Sequence, residues 1–452
     1  MKKNIFNIPK VLTLVCIPFM AFQAAQAQKG SELQVSEEYG NFAIVSAEGQ
    51  TAQIVVEPEE REVVSIAANM FASDVAAVTS CKPETDSSPS EVKPHIIVGT
   101  IGTSDLIDRL ANEKLIDLKE IKGQWETFGI KATTYNGQPC LAIYGSDPRG
   151  TAYGLMELSR AIGVHPWIWW ADITPETKKA LYVSTSGTVY GPPSIKYRGL
   201  FINDEDWGFQ PWAARNMDTD IQDIGPKTYE KVFELMLRMK ANYLWPAMHP
   251  CTKAFWYYKN NPELARKYDI VLGSSHCEPL LRNNVDEWTN NFVEEYGHAS
   301  GDWNWKTNRE TIIQYWTDRV VESKNNDAIY TMGMRGIHDS SMPGYSNNTE
   351  KQQALKDVIQ TQRGILADNL GKEAEEVPQM FNPYKEALTL YRMGLDLPED
   401  ITLVWPDDNF GYIRQLSNPE EQKRSGGGGV YYHFSYWGIP NDHLWLSSVS
   451  PT

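Results

Sequence analysis

The sequence predicts an α/β fold, with an N-terminal α+β unit at 28–192 followed at 193–452 by a (β/α)8-type TIM barrel whose last βα unit is missing. Three observations predict it. After Gly191-Pro192-Pro193-Ser194 the chain repeats one rhythm of short apolar strand, polar loop and amphipathic helix, which demands parallel strands joined by crossover helices. Six or seven such units in about 250 residues fit a closed barrel better than an open doubly wound sheet. Before that linker the strands are longer and include a hairpin signal, Asn136-Gly137 between two apolar runs, so a separate α+β layer precedes the repeat.

Residues 1–27 read as a secretory leader: Lys2, Lys3 and Lys10, then the apolar Val11 to Phe22, then Ala25-Gln26-Ala27 as a small-residue cleavage site. The expected product is periplasmic or secreted. The apolar stretch is short for a membrane crossing, and no later run reaches the length of a span. In the first unit, residues 52–56, 95–99, 128–135 and 139–145 read as strands with two helical stretches between and after them. Asp147-Pro148-Arg149-Gly150 opens the second of these, which carries Tyr153, Met156, Leu158 and Ile162 on one stripe. In the second unit the expected strands are 197–202, 243–248, 270–273, 328–332, 377–381, 401–405 and 429–432. Helices are expected at 229–240, 310–323 and 351–370. An eighth strand would lie beyond Thr452.

Composition removes several function classes. Lys+Arg total 42 against Asp+Glu 58, a net charge of −16 with no basic run, so phosphate backbones are repelled and a nucleic-acid partner is not expected. The mature cysteines, Cys81, Cys140, Cys251 and Cys277, match no zinc spacing and form no disulfide framework. Either a single Cys251–Cys277 bridge or free buried thiols would suit them. Walker, G-x-G-x-x-G and G-x-S-x-G patterns are absent, so no nucleotide cofactor and no α/β-hydrolase triad are indicated. Fifteen Trp and 22 Tyr supply flat apolar faces of the kind that line sugar sites, although core packing accounts for most of them.

The informative feature is where polar residues fall. Each strand of the repeat ends in acids or histidines: Glu205 and Asp206, His249, His276 and Glu278, His338 and Asp339, Glu386, Asp407 and Asp408, His433. In a barrel those ends converge on one face, where barrel enzymes hold their sites. A face rich in carboxylates suits glycoside hydrolysis, in which one carboxyl protonates the leaving oxygen while another activates water or attacks. A metal site from His249, His276, Asp339 and His433 is the competing chemical reading, but no local ligand spacing supports it, and no metal is expected.

Four strand-end strings carry a resemblance: Leu200-Phe201-Ile202-Asn203-Asp204-Glu205-Asp206-Trp207-Gly208, Leu244-Trp245-Pro246-Ala247-Met248-His249, Thr331-Met332-Gly333-Met334-Arg335-Gly336-Ile337-His338-Asp339 and Val404-Trp405-Pro406-Asp407-Asp408-Asn409-Phe410-Gly411-Tyr412. They are similar to glycoside hydrolase family 115, the xylan α-1,2-glucuronidases, and the unit before them resembles the accessory domain that precedes the barrel in such enzymes. The resemblance implies removal of glucuronic acid, or its 4-O-methyl ether, from glucuronoxylan with inversion and without a cofactor. It implies Glu386 as general acid and Asp206 and Asp339 as the candidates that activate or orient water, with Asp407 and His433 as further active-centre residues. Glu205 and His249 join them as substrate-binding candidates. Arg335 and Lys385 are candidates to neutralise the substrate carboxylate, or to form salt bridges within the acidic face. Family members are homodimers that continue into further domains. The resemblance therefore implies that an unclosed barrel with two exposed sheet edges is weakly active or inactive alone. The alternatives are another TIM-barrel glycosidase and a non-catalytic polysaccharide-binding protein.

Overall fold

The structure is a computed structural model describing residues 28–30 (backbone), 33–203, 205–408 and 412–433. The expected leader at 1–27, Asp204 in the first motif, Asn409-Phe410-Gly411 in the fourth and the segment beyond His433 lie outside the described residues.

The chain has a mixed α/β fold. The first part is built on a seven-stranded sheet in the order Gln28–Gly30, Thr188–Tyr190, Phe128–Tyr135, Gln138–Gly145, His95–Thr100, Gln53–Val56, Thr85–Asp86. Successive residues of a strand point to opposite faces, and here both faces are covered. Ile54, Val56, Ile96, Val98, Leu141 and Ile143 pack with helices Glu62–Thr79 and Pro148–Ala161. Val55, Ile97, Cys140 and Ala142 pack on the other side, against Ile107 and Leu110 of helix Asp105–Asn112. Continuous apolar runs such as Ile96-Ile97-Val98 follow from that double burial. The hairpin turns at Asn136 (φ 49°) and Gly137 (φ 81°), both in the left-handed region that a two-residue turn of this kind needs. Three helices stand where two helical stretches are expected from the sequence. The eight-residue Asp105–Asn112 is fixed by its cap, Ile107 N–H donating to Ser104 Oγ at 3.1 Å. Helix Glu62–Thr79 is apolar enough by length and composition to cross a membrane, but its Val64, Phe71 and Val75 are buried in this core.

The second part is a run of parallel strands in chain order. Gly199–Phe201 pairs with Tyr243–Trp245, and that with Val271–Leu272. A parallel bridge from Leu272 to Ala328 leads on to Tyr330–Thr331, Gln379–Phe381, Thr402–Pro406 and Gly428–Tyr431. Helices Pro226–Arg238, Arg309–Ser323 and Asn348–Leu370 fall at the expected places, each reaching one to three residues further at its N-terminus. The strands are shorter than the apolar runs that announce them. The run from Tyr243 to Met248, for example, stops pairing at Trp245 because Pro246 has no N–H to offer. Trp245, Val271, Ile329, Met380 and Tyr431 form one cluster inside the strands. The Phe201 ring lies 5.4 Å from Trp245 and 5.7 Å from Tyr431, so side chains of the first and seventh strands meet and the array is strongly curled.

One apolar core runs through both parts. Arg238 holds Asp74 through two bonds of 2.7 and 2.9 Å, and Tyr153 donates to the Ala241 carbonyl at 3.2 Å. All four described cysteines are free, so no Cys251–Cys277 bridge forms. Burial pushes the thiols of Cys140, Cys251 and Cys277 up to about 12, which leaves them unreactive.

Candidate active site

The predicted residues gather at the C-terminal ends of the parallel strands, in three histidine–carboxylate pairs laced by two cations. Past the first strand, Glu205 is 1 % exposed, and the backbone N–H groups of Met248 and His249 both donate to its Oε1 at 2.6 Å. It therefore ties the first strand's loop to the second's and faces no open cleft. Burial raises its carboxyl above the usual range. Its neighbour Asp206 is half exposed and lies 3.1 Å from Nδ1 of His249. The His249 ring in turn lies 5.4 Å from His338.

The densest cluster joins the third, fourth and fifth strand ends. Arg335 grips both oxygens of Glu386 (Nε to Oε1 2.8 Å, Nη2 to Oε2 2.7 Å) while Nη1 donates to Asp339 Oδ1. Lys385 Nζ donates to Asp339 Oδ2, and His276 Nε2 stands 3.1 Å from Oδ1. Burial works to raise the Asp339 carboxyl, yet the bonds from His276, Lys385 and Arg335 outweigh it and hold the group well below the usual carboxylate range. Burial lowers His276, with Nε2–H assigned as donor to Asp339 by that contact; Nδ1 has no partner among the described residues. Tyr384 packs its ring 4.4 Å from His276 and 5.6 Å from the Arg335 guanidinium. His338 (φ 55°) and Lys385 (φ 49°, ψ −117°) adopt left-handed backbone beside Asp339 and Glu386, a strain of about 1–3 kcal/mol each that clusters at working sites.

At the sixth and seventh strands His433 Nδ1 bonds Asp407 Oδ1, and His433 Nε2 meets the Tyr431 hydroxyl at 2.7 Å. Tyr431 stacks 6.1 Å from His276, which connects this pair to the central cluster. Each histidine of the competing metal reading is thus taken up by a different carboxylate: His249 by Asp206, His276 by Asp339, His433 by Asp407. Arg335 and Lys385 form salt bridges within the acidic face.

The state of Glu278 is not visible in the sequence. It is fully enclosed near Glu205 and Glu287, and burial pushes its carboxyl up to about 8. Nothing in its spacing distinguishes it from an ordinary strand-end acid. The buried cations behind it are equally hidden: Arg282 Nη1 donates to Glu287 at 2.8 Å, and Arg319 joins the same carboxylate.

The C-terminal ends of the parallel strands thus bring a carboxylate pair together with an arginine and a lysine, the kinds of group that glycoside hydrolysis uses. The family model described as "Glycosyl hydrolase family 115" matches residues 190–452, and the chain belongs to that family. A solved structure described as a novel family GH115 4-O-methyl-alpha-glucuronidase, BtGH115A, with specificity for decorated arabinogalactans, is 42 % identical. It superimposes with a TM-score of 0.82 over 92 % of this chain and 52 % of its own, so this chain spans about half the length of that relative. CpGH84D (10 % identity, TM-score 0.47, 89 % of this chain and 58 % of its own) is far more distant. A GH20 exo β-N-acetylglucosaminidase from Vibrio harveyi stands equally far (11 % identity, TM-score 0.46, 90 % and 60 %). No curated protein matches the sequence.

Proposed function

We propose that this chain carries the catalytic centre of an α-glucuronidase that removes glucuronic acid or its 4-O-methyl ether from a decorated polysaccharide by an inverting acid/base mechanism. The observation that carries the reading is the cluster in which Arg335 bridges Asp339 and Glu386 while Lys385 adds a second cation on Asp339. A uronate brings its own carboxylate, and a guanidinium beside an ammonium is what receives one.

In the free protein both oxygens of Glu386 accept from Arg335, and Asp339 is held by three donors, so neither is ready to move a proton. A substrate carboxylate competes for the same two cations. As Lys385 and Arg335 turn to it, Glu386 loses its guanidinium partner, takes up a proton from solvent and delivers that proton to the glycosidic oxygen. Asp339, released from the same cations, rises toward a useful base and takes a proton from the attacking water. Asp206, paired with His249, orients that water; in a second reading it is the base itself. Asp407 with His433 closes the far side of the site, and Glu205 fixes the loop that carries His249.

The fold that goes with this reading is an α+β accessory domain at 28–192 and seven strands of a TIM barrel from 193 onward, in an exported protein cleaved near Ala27. Two polymers present the same uronate: glucuronoxylan, through α-1,2 linkages, and decorated arabinogalactan, the specificity of the 42 % identical relative. Release of 4-O-methylglucuronic acid from each, followed by proton NMR, tests the proposal. The expected result is uronate released first as the β-anomer and lost by about 10²-fold or more in Glu386→Gln. Release of the α-anomer first would refute inversion, and undiminished release by Glu386→Gln would refute the acid.

A further inference from the structure

On the face of the seven-stranded sheet turned away from the parallel strands, helix Asp105–Asn112 and the segment after it border a cavity of about 770 Å³. Lys114, Lys119, Lys122 and Lys131 line it against a single carboxylate, Asp117. In a chain of net charge −16 this is a local reversal of sign. The fold imposes it. Lys114 takes left-handed backbone (φ 60°) just past the helix end, and Lys119 N–H bonds Asp117 Oδ1 at 3.0 Å. Lys122 N–H bonds the Leu118 carbonyl at 2.9 Å, while Lys131 reaches in from strand Phe128–Tyr135. Lys114, Lys119 and Lys122 are exposed, Lys131 is half-buried, and none of the four forms an ion pair among the described residues. Asp117 spends one carboxylate oxygen on the Lys119 backbone N–H, so four lysines outnumber one partly engaged carboxylate around the cavity. Ile116 and Leu118 give it an apolar floor.

We infer that this basin is a second, non-catalytic binding site for the acidic polysaccharide, holding uronate side chains of the same polymer while another uronate occupies the strand-end site; the inference rests on the substrate class proposed above. The volume lies within the roughly 300–1,000 Å³ of small-ligand sites, enough for one or two sugar units. Four lysines spread around it are separate point charges. They suit several spaced carboxylates better than one compact phosphate, for which arginine forks are the better match. The apolar floor suits the C–H face of a pyranose ring. Two weak sites on one chain raise the effective concentration of side chains at the catalytic one without any further contact there.

Affinity electrophoresis of the full chain through gels containing glucuronoxylan, decorated arabinogalactan, neutral arabinoxylan or dextran sulfate tests this, comparing native protein with Lys119→Glu/Lys122→Glu. Melting curves confirm that the variant is folded. The expected result is retardation by an acidic polysaccharide, abolished by high salt and weakened about tenfold or more in the double variant, with none on the neutral polymer. Uronate release from short acidic oligosaccharides should match in the two proteins, because the lysines lie outside the strand-end site. Equal retardation of native and variant protein, retardation by the neutral polymer, or retention by dextran sulfate as strong as by the uronic polymers would each overturn the inference. Oligosaccharide turnover without polymer retention would overturn it while leaving the α-glucuronidase reading intact. Retention lost in the double variant, with no turnover by either protein, would support the basin and count against the catalytic reading.

Discussion

Glu278 shows how far one side chain can depart from what its letter suggests. Its carboxyl is enclosed by the protein at the end of the third strand, and burial raises it from an ordinary 4.5 to about 8. A folded-state value above the unfolded one means that the native protein holds a proton which the unfolded chain has released. Stability contributed by this group is therefore full below about pH 4.5 and declines as pH rises through about 8, with a slope approaching 1.4 kcal/mol per pH unit for one proton. Gln is an uncharged replacement of nearly the same shape. Urea unfolding of Glu278→Gln at pH 5 and pH 8 should show a smaller loss of stability with rising pH than the native chain, the variant being the more stable at pH 8. Parallel profiles for the two proteins would mean that Glu278 is ionised at neutral pH after all. Asp339, at the end of the next strand, has the opposite fate because Arg335 and Lys385 pair with it. Burial and partners decide the state, and neither is written in the residue type.

Helix Pro226–Arg238, which lies between the first two parallel strands in the chain, depends on a cap that lies eight residues before its start. Asp218 is 1 % exposed and accepts from the backbone N–H of Gly225 (3.0 Å), Lys227 (3.0 Å) and Thr228 (2.9 Å) and from the Thr228 hydroxyl (2.6 Å). Replacing it with Ala removes a cap and leaves several buried donors unmet, at an expected cost of about 3 kcal/mol. Denaturant midpoints check this, and a loss below 1 kcal/mol would show that the helix start finds other acceptors. Nothing in Met217-Asp218-Thr219-Asp220 singled this residue out, since a cap that acts across a loop leaves no fixed spacing. What could be read from the sequence was periodic: all seven strands, the helices over 226–238, 309–323 and 348–370 to within three residues, and the polar strand ends that gather the site. Pairings across the site were not legible. That Arg335 would clamp Glu386 and Asp339 together, or that Glu205 would turn to backbone and away from the cleft, depends on loop geometry at strained positions such as Lys385.

At the scale of the whole molecule, the two parts are joined by several ion pairs, among them Arg238–Asp74, Lys240–Glu157 and Arg198–Glu126, and Glu126 is the carboxylate on which donors from both parts converge. It stands at the start of strand Phe128–Tyr135 with left-handed backbone (φ 46°) and 2 % exposure. Three donors converge on it: Arg149 Nε at 2.8 Å from its own side of the junction, then Arg198 Nη2 at 2.5 Å and Asn242 Nδ2 at 2.6 Å from the first and second parallel strands' entries. Arg149 also donates to the Asp269 carbonyl at 3.2 Å, ahead of the third parallel strand. Glu126 and Arg149 together thus fix where the N-terminal sheet sits relative to three strands whose opposite ends carry the candidate site. Removing one member of a buried ion cluster strands the others, at about 3–5 kcal/mol. Glu126→Ala takes the shared carboxylate from two guanidinium groups and an amide, which keep their backbone carbonyl partners, while the apolar core that also joins the parts remains. The expected outcome is a loss in that range together with a breakdown of all-or-none unfolding, because a buried tie that couples the melting of the two parts is removed. Tryptophan fluorescence, which is weighted toward the second part, and far-UV circular dichroism, which reports both, should then give separate denaturant midpoints in the variant and a common one in the native chain. Coincident transitions in Glu126→Ala would place the coupling in the apolar core and demote the buried charges to local packing.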